Sequence, residues 1–182
     1  MQKLCRFIMN LFGWKSEGSV LPHDHCIIIA FPHTSAMDFV WGWLHYVAEG
    51  GMPSILIKKE FFFWPMGWIL RKMGAIPVNQ SKGTSAIKET IRIFNTNKRV
   101  HLFITPEGTR KKTKRWKTGF HYIANKTGAT VRLGYVDYAK KTVFIKDVFE
   151  LTDDINEDIK NIKAWYKKEG ATGKYKDQYT FD

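Results

Sequence analysis

Cysteine is scarce in this chain, with Cys5 and Cys26 its whole complement. Two isolated thiols, one near the start and one opening an apolar run, supply neither a disulfide framework nor paired metal-binding spacing, and a reducing compartment suits them. No apolar run approaches the roughly 18 residues that cross a bilayer, and the longest candidate, Phe61 to Leu70, covers about half that length. The start carries Lys3 and Arg6 but no compact apolar segment followed by small residues, which argues against a cleaved signal. Neither a Gly-x-Ser-x-Gly elbow nor a phosphate-loop signature occurs. Acidic residues are outnumbered, 17 against 29 Lys and Arg, and the net charge of +12 favours polyanionic partners: anionic lipid, nucleic acid or an acidic carrier protein. Repeats and linkers are missing too, so 182 residues of 44% apolar composition are expected to form one domain, 1–182.

What is present starts with an amphipathic pattern. Leu4, Phe7, Ile8, Leu11 and Phe12 recur at helical spacing, Gln2, Lys3, Arg6 and Asn10 take the other face, and Trp14 and Lys15 follow. Such a helix suits either the headgroup region of a membrane or the protein's own core, because the stripe is the same in both.

Further on, short β-rich runs alternate with helical spacing. Strands are predicted at Cys26–Phe31, Ser54–Lys59, Ala75–Val78, Val100–Thr105 and Thr130–Val136, with an edge near Phe144. Helices are predicted over Ala36–Val47, around Ile87, Ile91 and Phe94, and over Phe120–Lys126. Ile155, Ile159, Ile162 and Trp165 mark a closing helix that Thr152 can cap, and the polar residues from Gly170 onward are expected to be loosely held. The alternation argues for an α/β sandwich with a largely parallel central sheet flanked by helices, and active-site loops at strand ends.

His33 and Asp38 flank the junction between the first predicted strand and the following helix, where Thr34 and Ser35 are available as caps. A carboxylate bonded to one imidazole nitrogen leaves the other free to accept a proton and stabilises the imidazolium that results, which is general-base equipment. After the fourth strand comes Pro106-Glu107-Gly108-Thr109-Arg110. Glycine permits a tight turn, Arg110 offers a planar fork for phosphate or carboxylate, and Glu107 is placed to hold that arginine or to accept from a substrate hydroxyl. Six of the eight residues from Arg110 to Lys117 are basic, with Trp116 among them, so the run suits anionic headgroups, coenzyme A phosphates or a carrier protein's acidic surface. The aromatic run from Phe61 to Leu70 must face core or lipid. His23, His25 and Cys26 lack a second cluster that would complete a zinc site, and His45 reads as a satisfied packing residue.

Taken together, residues 26–138 resemble the lysophosphatidate acyltransferase family of glycerolipid acyltransferases, whose blocks come in this order. They are His33-Thr34-Ser35-Ala36-Met37-Asp38, then Gly74-Ala75-Ile76-Pro77-Val78-Asn79-Gln80, then Thr105-Pro106-Glu107-Gly108-Thr109-Arg110. A fourth departs from the family pattern, with Val131-Arg132-Leu133-Gly134-Tyr135 where an apolar stretch containing proline is usual. The resemblance implies acyl transfer without an acyl-enzyme: His33 takes the proton of an acceptor hydroxyl, Asp38 orients it, and Glu107, Gly108, Thr109 and Arg110 bind the acceptor head group. It implies no cofactor, an acyl carrier protein or coenzyme A thioester as co-substrate, a lyso-lipid acceptor, and a peripheral place on the cytoplasmic face of a membrane. The second block commonly ends in an arginine, and here Gln80 stands there with Lys82 two residues on. The expected acceptor is therefore a hydroxylated lyso-lipid without a terminal phosphate. A lipid hydrolase using the same pair, and a basic module binding membrane or nucleic acid without catalysis, stay open beside this reading, although no nucleic-acid motif is recognisable.

Overall fold

The computed structural model describes residues 1–18, 24–79 and 83–181. Its strands are β1 (Lys15–Glu17), β2 (His25–Ala30), β3 (Ile55–Lys58), β4 (Ala75–Val78), β5 (Val100–Ile104), β6 (Thr130–Asp137) and β7 (Thr142–Phe149). Its α-helices are α1 (Gln2–Leu11), α2 (Ala36–Ala48), α3 (Met66–Lys72), α4 (Gly83–Thr96), α5 (Gly119–Thr127) and α6 (Ile155–Lys168). Five strands form one sheet in the order β1-β7-β6-β2-β5, parallel except where β6 and β7 run antiparallel. The parallel pair β3–β4 extends the β5 edge through a single bridge from Ser54 to Leu102.

Strand β2 explains the layering. As a central parallel strand it is apolar on both faces, and its alternate residues enter different cores. Ile27, Ile29 and, just beyond the strand, Phe31 join the larger core with Phe94 of α4, Phe120 of α5 and Ile162 and Tyr166 of α6. Cys26 and Ile28 face Tyr46 of α2 and Ile145 of β7. The sheet is thus covered on one face by α4, α5 and α6 and on the other by α1 and α2.

Register brings the carboxyl ends of three strands side by side. Ile29 of β2 pairs with Ile104 of β5 and Ala30 with Gly134 of β6, so the chain leaves β2 at Phe31, β5 at Thr105 and, three residues further along, β6 at Tyr138 on one rim. In α/β sheets ligands bind at such a rim.

Several expectations change. The segment around Phe144 is a full strand lying between β6 and β1, since Val143 and Ile145 bury one face while Phe144 enters the other core. Asp154, not Thr152, caps α6, accepting from Asn156 N and Glu157 N, whereas Thr152 donates to Asp158. The residues after Gly170 are held down: Ala171 and Thr180 are buried, and Tyr179 and Phe181 set their rings edge-on against Phe31. His45 is fully buried with neither ring nitrogen hydrogen-bonded among the described residues, and burial depresses its pKa to about 4.

Helix α1 packs its Cys5–Met9 side on α2 with Ile8 partly buried beside it, and turns the rest of the apolar stripe outward, leaving Phe7 62% and Leu11 68% exposed beside Leu4 and Phe12. The aromatic run also faces out, with Trp64 88% exposed and Phe61, Phe63 and Trp68 more than half exposed. No helix among the described residues is long and apolar enough to cross a membrane.

Candidate active site

Ser35 starts α2 as its N-cap, accepting from Met37 N at 3.2 Å, and Asp38 completes the capping box. The carboxylate serves two purposes. Its Oδ2 accepts from Thr34 N and Ser35 N, both at 2.9 Å, and from His33 Nδ1 at 3.1 Å, so the bonds that start the helix also fix the imidazole. Its Oδ1 accepts from the Tyr138 hydroxyl at 2.5 Å. Burial raises the Asp38 pKa, but the bonds from His33, Tyr138 and Ser35 N outweigh it and hold the carboxyl below its ordinary value. An anionic Asp38 sets the hydrogen on His33 Nδ1 and leaves Nε2, without a partner among the described residues, as a proton acceptor. The His33 side chain is 21% exposed, enough for a substrate to reach it.

Glu107 takes a place that its neighbours in sequence do not suggest. It is 4% exposed, does not pair with Arg110, and accepts from His33 N through Oε2 at 2.8 Å. The other oxygen, Oε1, has no partner among the described residues. Burial pushes its pKa up to about 7 against the lowering by the His33 N–H, and the charge of Asp38 adds to the rise. Glu107 thus braces the backbone of the histidine loop from below, between the ends of β2 and β5.

The rest of that block forms a tight loop. Gly108 has φ +62, and a Cβ there would meet the Lys117 side chain at 2.4 Å, so only glycine fits without displacing it. Gly108 N bonds Thr105 O, and Lys117 N closes the loop on Pro106 O at 2.7 Å. Thr109 is exposed and accepts from Lys111 N, while Arg110 is exposed and free of side-chain partners among the described residues. Trp116 anchors the basic run in the core, 4.9 Å from the Phe31 ring, so the charges around it stay outside.

The second block runs along β4, where Gly74 at φ +85 lets the backbone pass Pro53 O and Asn79 N bonds Glu89 Oε2 at 3.0 Å. Gln80 and Lys82 lie outside the described residues. The fourth block is β6 itself. A Cβ on Gly134 would meet Phe144 O at 2.8 Å, and its carbonyl accepts from Phe31 N, which ties this block to the residue before the His33 loop.

A cavity of about 210 Å³ opens beside the pair, bordered by His33 and Asp38 and walled by Ile28, Trp43, Val143 and Ile145 between the sheet and α2. Gly42 borders it too, and a Cβ there would meet nothing within 4 Å. A base at the lip of an apolar slot can deprotonate a hydroxyl beside a reactant whose tail is held out of water.

Tyr138 is the site residue that sequence reasoning missed: it stands 100 positions from Asp38, and no local pattern joins them. His121 has an unforeseen partner as well, Asp158 at 3.2 Å, in a buried cluster that closes the turn before α6.

The family described as Acyltransferase matches residues 15–133. No curated protein matches the chain in sequence. Among solved structures, the 1-acyl-sn-glycerophosphate (LPA) acyltransferase PlsC from Thermotoga maritima superimposes with a TM-score of 0.62 at 20% identity, over 96% of this chain and 80% of the other. At that identity the likeness is one of fold.

Proposed function

This protein belongs to the Acyltransferase family, and from that premise we propose that it moves a fatty acyl group from a thioester to a hydroxyl of a lyso-lipid at a membrane surface. The observation that carries the reading is the His33–Asp38 pair at the lip of the apolar cavity. His33 Nε2 takes the acceptor's hydroxyl proton, and the alkoxide oxygen attacks the thioester carbonyl. The C–S bond breaks as the ester forms, and the imidazolium returns the proton to the departing thiolate. Asp38 stabilises that imidazolium, and the Tyr138 and backbone bonds keep the carboxylate facing it. The acyl chain lies in the cavity. Arg110, on an exposed loop ending in the basic run, meets an anionic head group, and the donor is an acyl carrier protein or coenzyme A thioester.

The outward stripe of α1 and the aromatic run about α3 support peripheral attachment. Burying the exposed parts of Leu4, Phe7, Leu11 and Phe12 in lipid is worth roughly 1 to 2 kcal/mol each, and the net charge of +12 draws the protein to anionic headgroups. For the acceptor, Gln80 in place of a fixed cation favours a hydroxylated lyso-lipid without a terminal phosphate, such as an acylated amino acid, over lysophosphatidate.

Purified protein incubated with an acyl thioester and anionic vesicles carrying both acceptors in equal amount, with products followed by mass spectrometry, tests the reading. Acylated acceptor is expected, chiefly the phosphate-free one. Free fatty acid alone would make the protein a hydrolase, and no turnover of the thioester would leave the basic surface as a binding module.

A further inference from the structure

The residues after α6 return to the catalytic rim and touch it at several points. Gly173 lies so close to Thr34 that a Cβ there would be 2.7 Å from its methyl group. Tyr175 N donates to Thr34 Oγ1 at 3.3 Å. The Gln178 amide, oriented so that its nitrogen faces two carbonyl oxygens, donates to Thr34 O at 3.1 Å and to Arg110 O at 2.8 Å. Beyond it, Tyr179 and Phe181 pack on Phe31, two residues before His33. One side-chain amide has two N–H donors, and here each goes to a different loop: one to the residue after His33, the other to Arg110 itself.

We propose that Gln178 is a positioning residue for acyl transfer, setting the separation between the base and the head-group cation by joining their two loops. The proposal rests on the acyltransferase reading above. An acceptor has its reactive hydroxyl at one place and its charged head group at another, so His33 and Arg110 serve opposite ends of one molecule and their spacing must match it. Glu107 ties the root of the Arg110 loop to His33 N, and Gly108 N and Lys117 N close the loop on itself, so these bonds leave the Arg110 end of the loop to be placed against Thr34. The Gln178 amide does so directly. Displacing bound groups by as little as about 1 Å costs on the order of a hundredfold in rate. Gln178 is half-buried at the end of a short turn, so its replacement leaves the core intact.

The test compares two acceptors in wild type and Gln178→Met, which keeps the side chain's length and removes both donors. One acceptor carries an anionic head group and is the better of lysophosphatidate and the acylated amino acid; the other is an uncharged monoacylglycerol, which engages His33 but offers Arg110 no charge. Gln178→Met is expected to slow transfer to the anionic acceptor at least about tenfold while the slower rate with monoacylglycerol stays within about twofold. Gln178→Lys, whose ammonium can donate to both carbonyls, should recover most of the loss. Equal losses with both acceptors, no loss with either, or a Lys variant as slow as Met would overturn the positioning role. A wild-type protein that acylates neither acceptor would instead refute the acyltransferase reading on which the proposal stands.

Discussion

Glu107 is a buried carboxyl whose burial outweighs the hydrogen bond it accepts from His33 N, and this makes stability depend on pH in a direction opposite to that of most carboxylates. Its pKa rises from an ordinary 4.5 to about 7 on folding. The folded state therefore holds a proton that the unfolded chain has already released, and the associated stability is complete below the unfolded value and lost as pH rises through the folded one. At about 1.4 kcal/mol per pH unit the full gap corresponds to roughly 3 kcal/mol, of which some 2 kcal/mol falls between about pH 5 and about pH 8. Glu107→Gln cannot ionise, while its amide oxygen can still accept from His33 N. Denaturant unfolding of both proteins at the two pH values gives the contribution as a difference of differences, in which His45 and the other groups not coupled to Glu107 cancel. The variant is expected to gain roughly 2 kcal/mol on wild type between the lower and the higher pH. An unchanged difference, or one favouring wild type at the higher pH, would show that Glu107 is ionised throughout and refute the placement of an acid under the histidine loop.

Other perturbations separate the parts of the site. Asp38→Asn removes the charge that supports the imidazolium and weakens the capping box by making its acceptor a neutral amide oxygen, and is expected to cut transfer by about a hundredfold or more while costing about 1 kcal/mol in unfolding experiments; an unaltered rate would remove Asp38 from the mechanism. Gly42→Leu places a side chain in the open space bordering the cavity, so the rate with a long-chain thioester should fall roughly tenfold or more and that with a short-chain one should hold. Equal effects on both chain lengths would put the acyl chain elsewhere. Phe7→Ser with Leu11→Ser should weaken flotation with anionic vesicles at least about tenfold and leave the melting temperature unmoved, because both side chains face outward; intact flotation with a lowered melting temperature would assign the stripe to the protein interior.

The central strands were legible because parallel strands buried on both faces read as short continuous apolar runs: β4 falls at Ala75–Val78 as expected, and β2, β5 and β6 within two residues at either end. Strand β1 left no trace, since Lys15, Ser16 and Glu17 are all exposed and pair only along one edge. Helix α3 was hidden in the aromatic run, where nearly every residue is apolar and no polar face marks a period. At the site, His33 and Asp38 could be joined in sequence because they stand only five positions apart across a helix cap. Glu107 could not be assigned to His33 N, nor Tyr138 to Asp38 nor Gln178 to the two loops, because those contacts exist only once β2, β5 and β6 end on one rim and the tail returns to it. The tail looked loose because its composition is polar, while a few well-spaced anchors, Ala171, Tyr179, Thr180 and Phe181, hold it.

In the proposed mechanism His33 is the base for acyl transfer, and one rate measures that most directly: formation of acylated lyso-lipid from a labelled thioester by wild type and by His33→Ala at equal folded concentration. His33 is partly exposed and among the described residues its ring bonds only Asp38, so the variant should fold normally and lose at least about a hundredfold in rate. A folded His33→Ala protein that forms acylated product at a rate near wild type would contradict this role for His33.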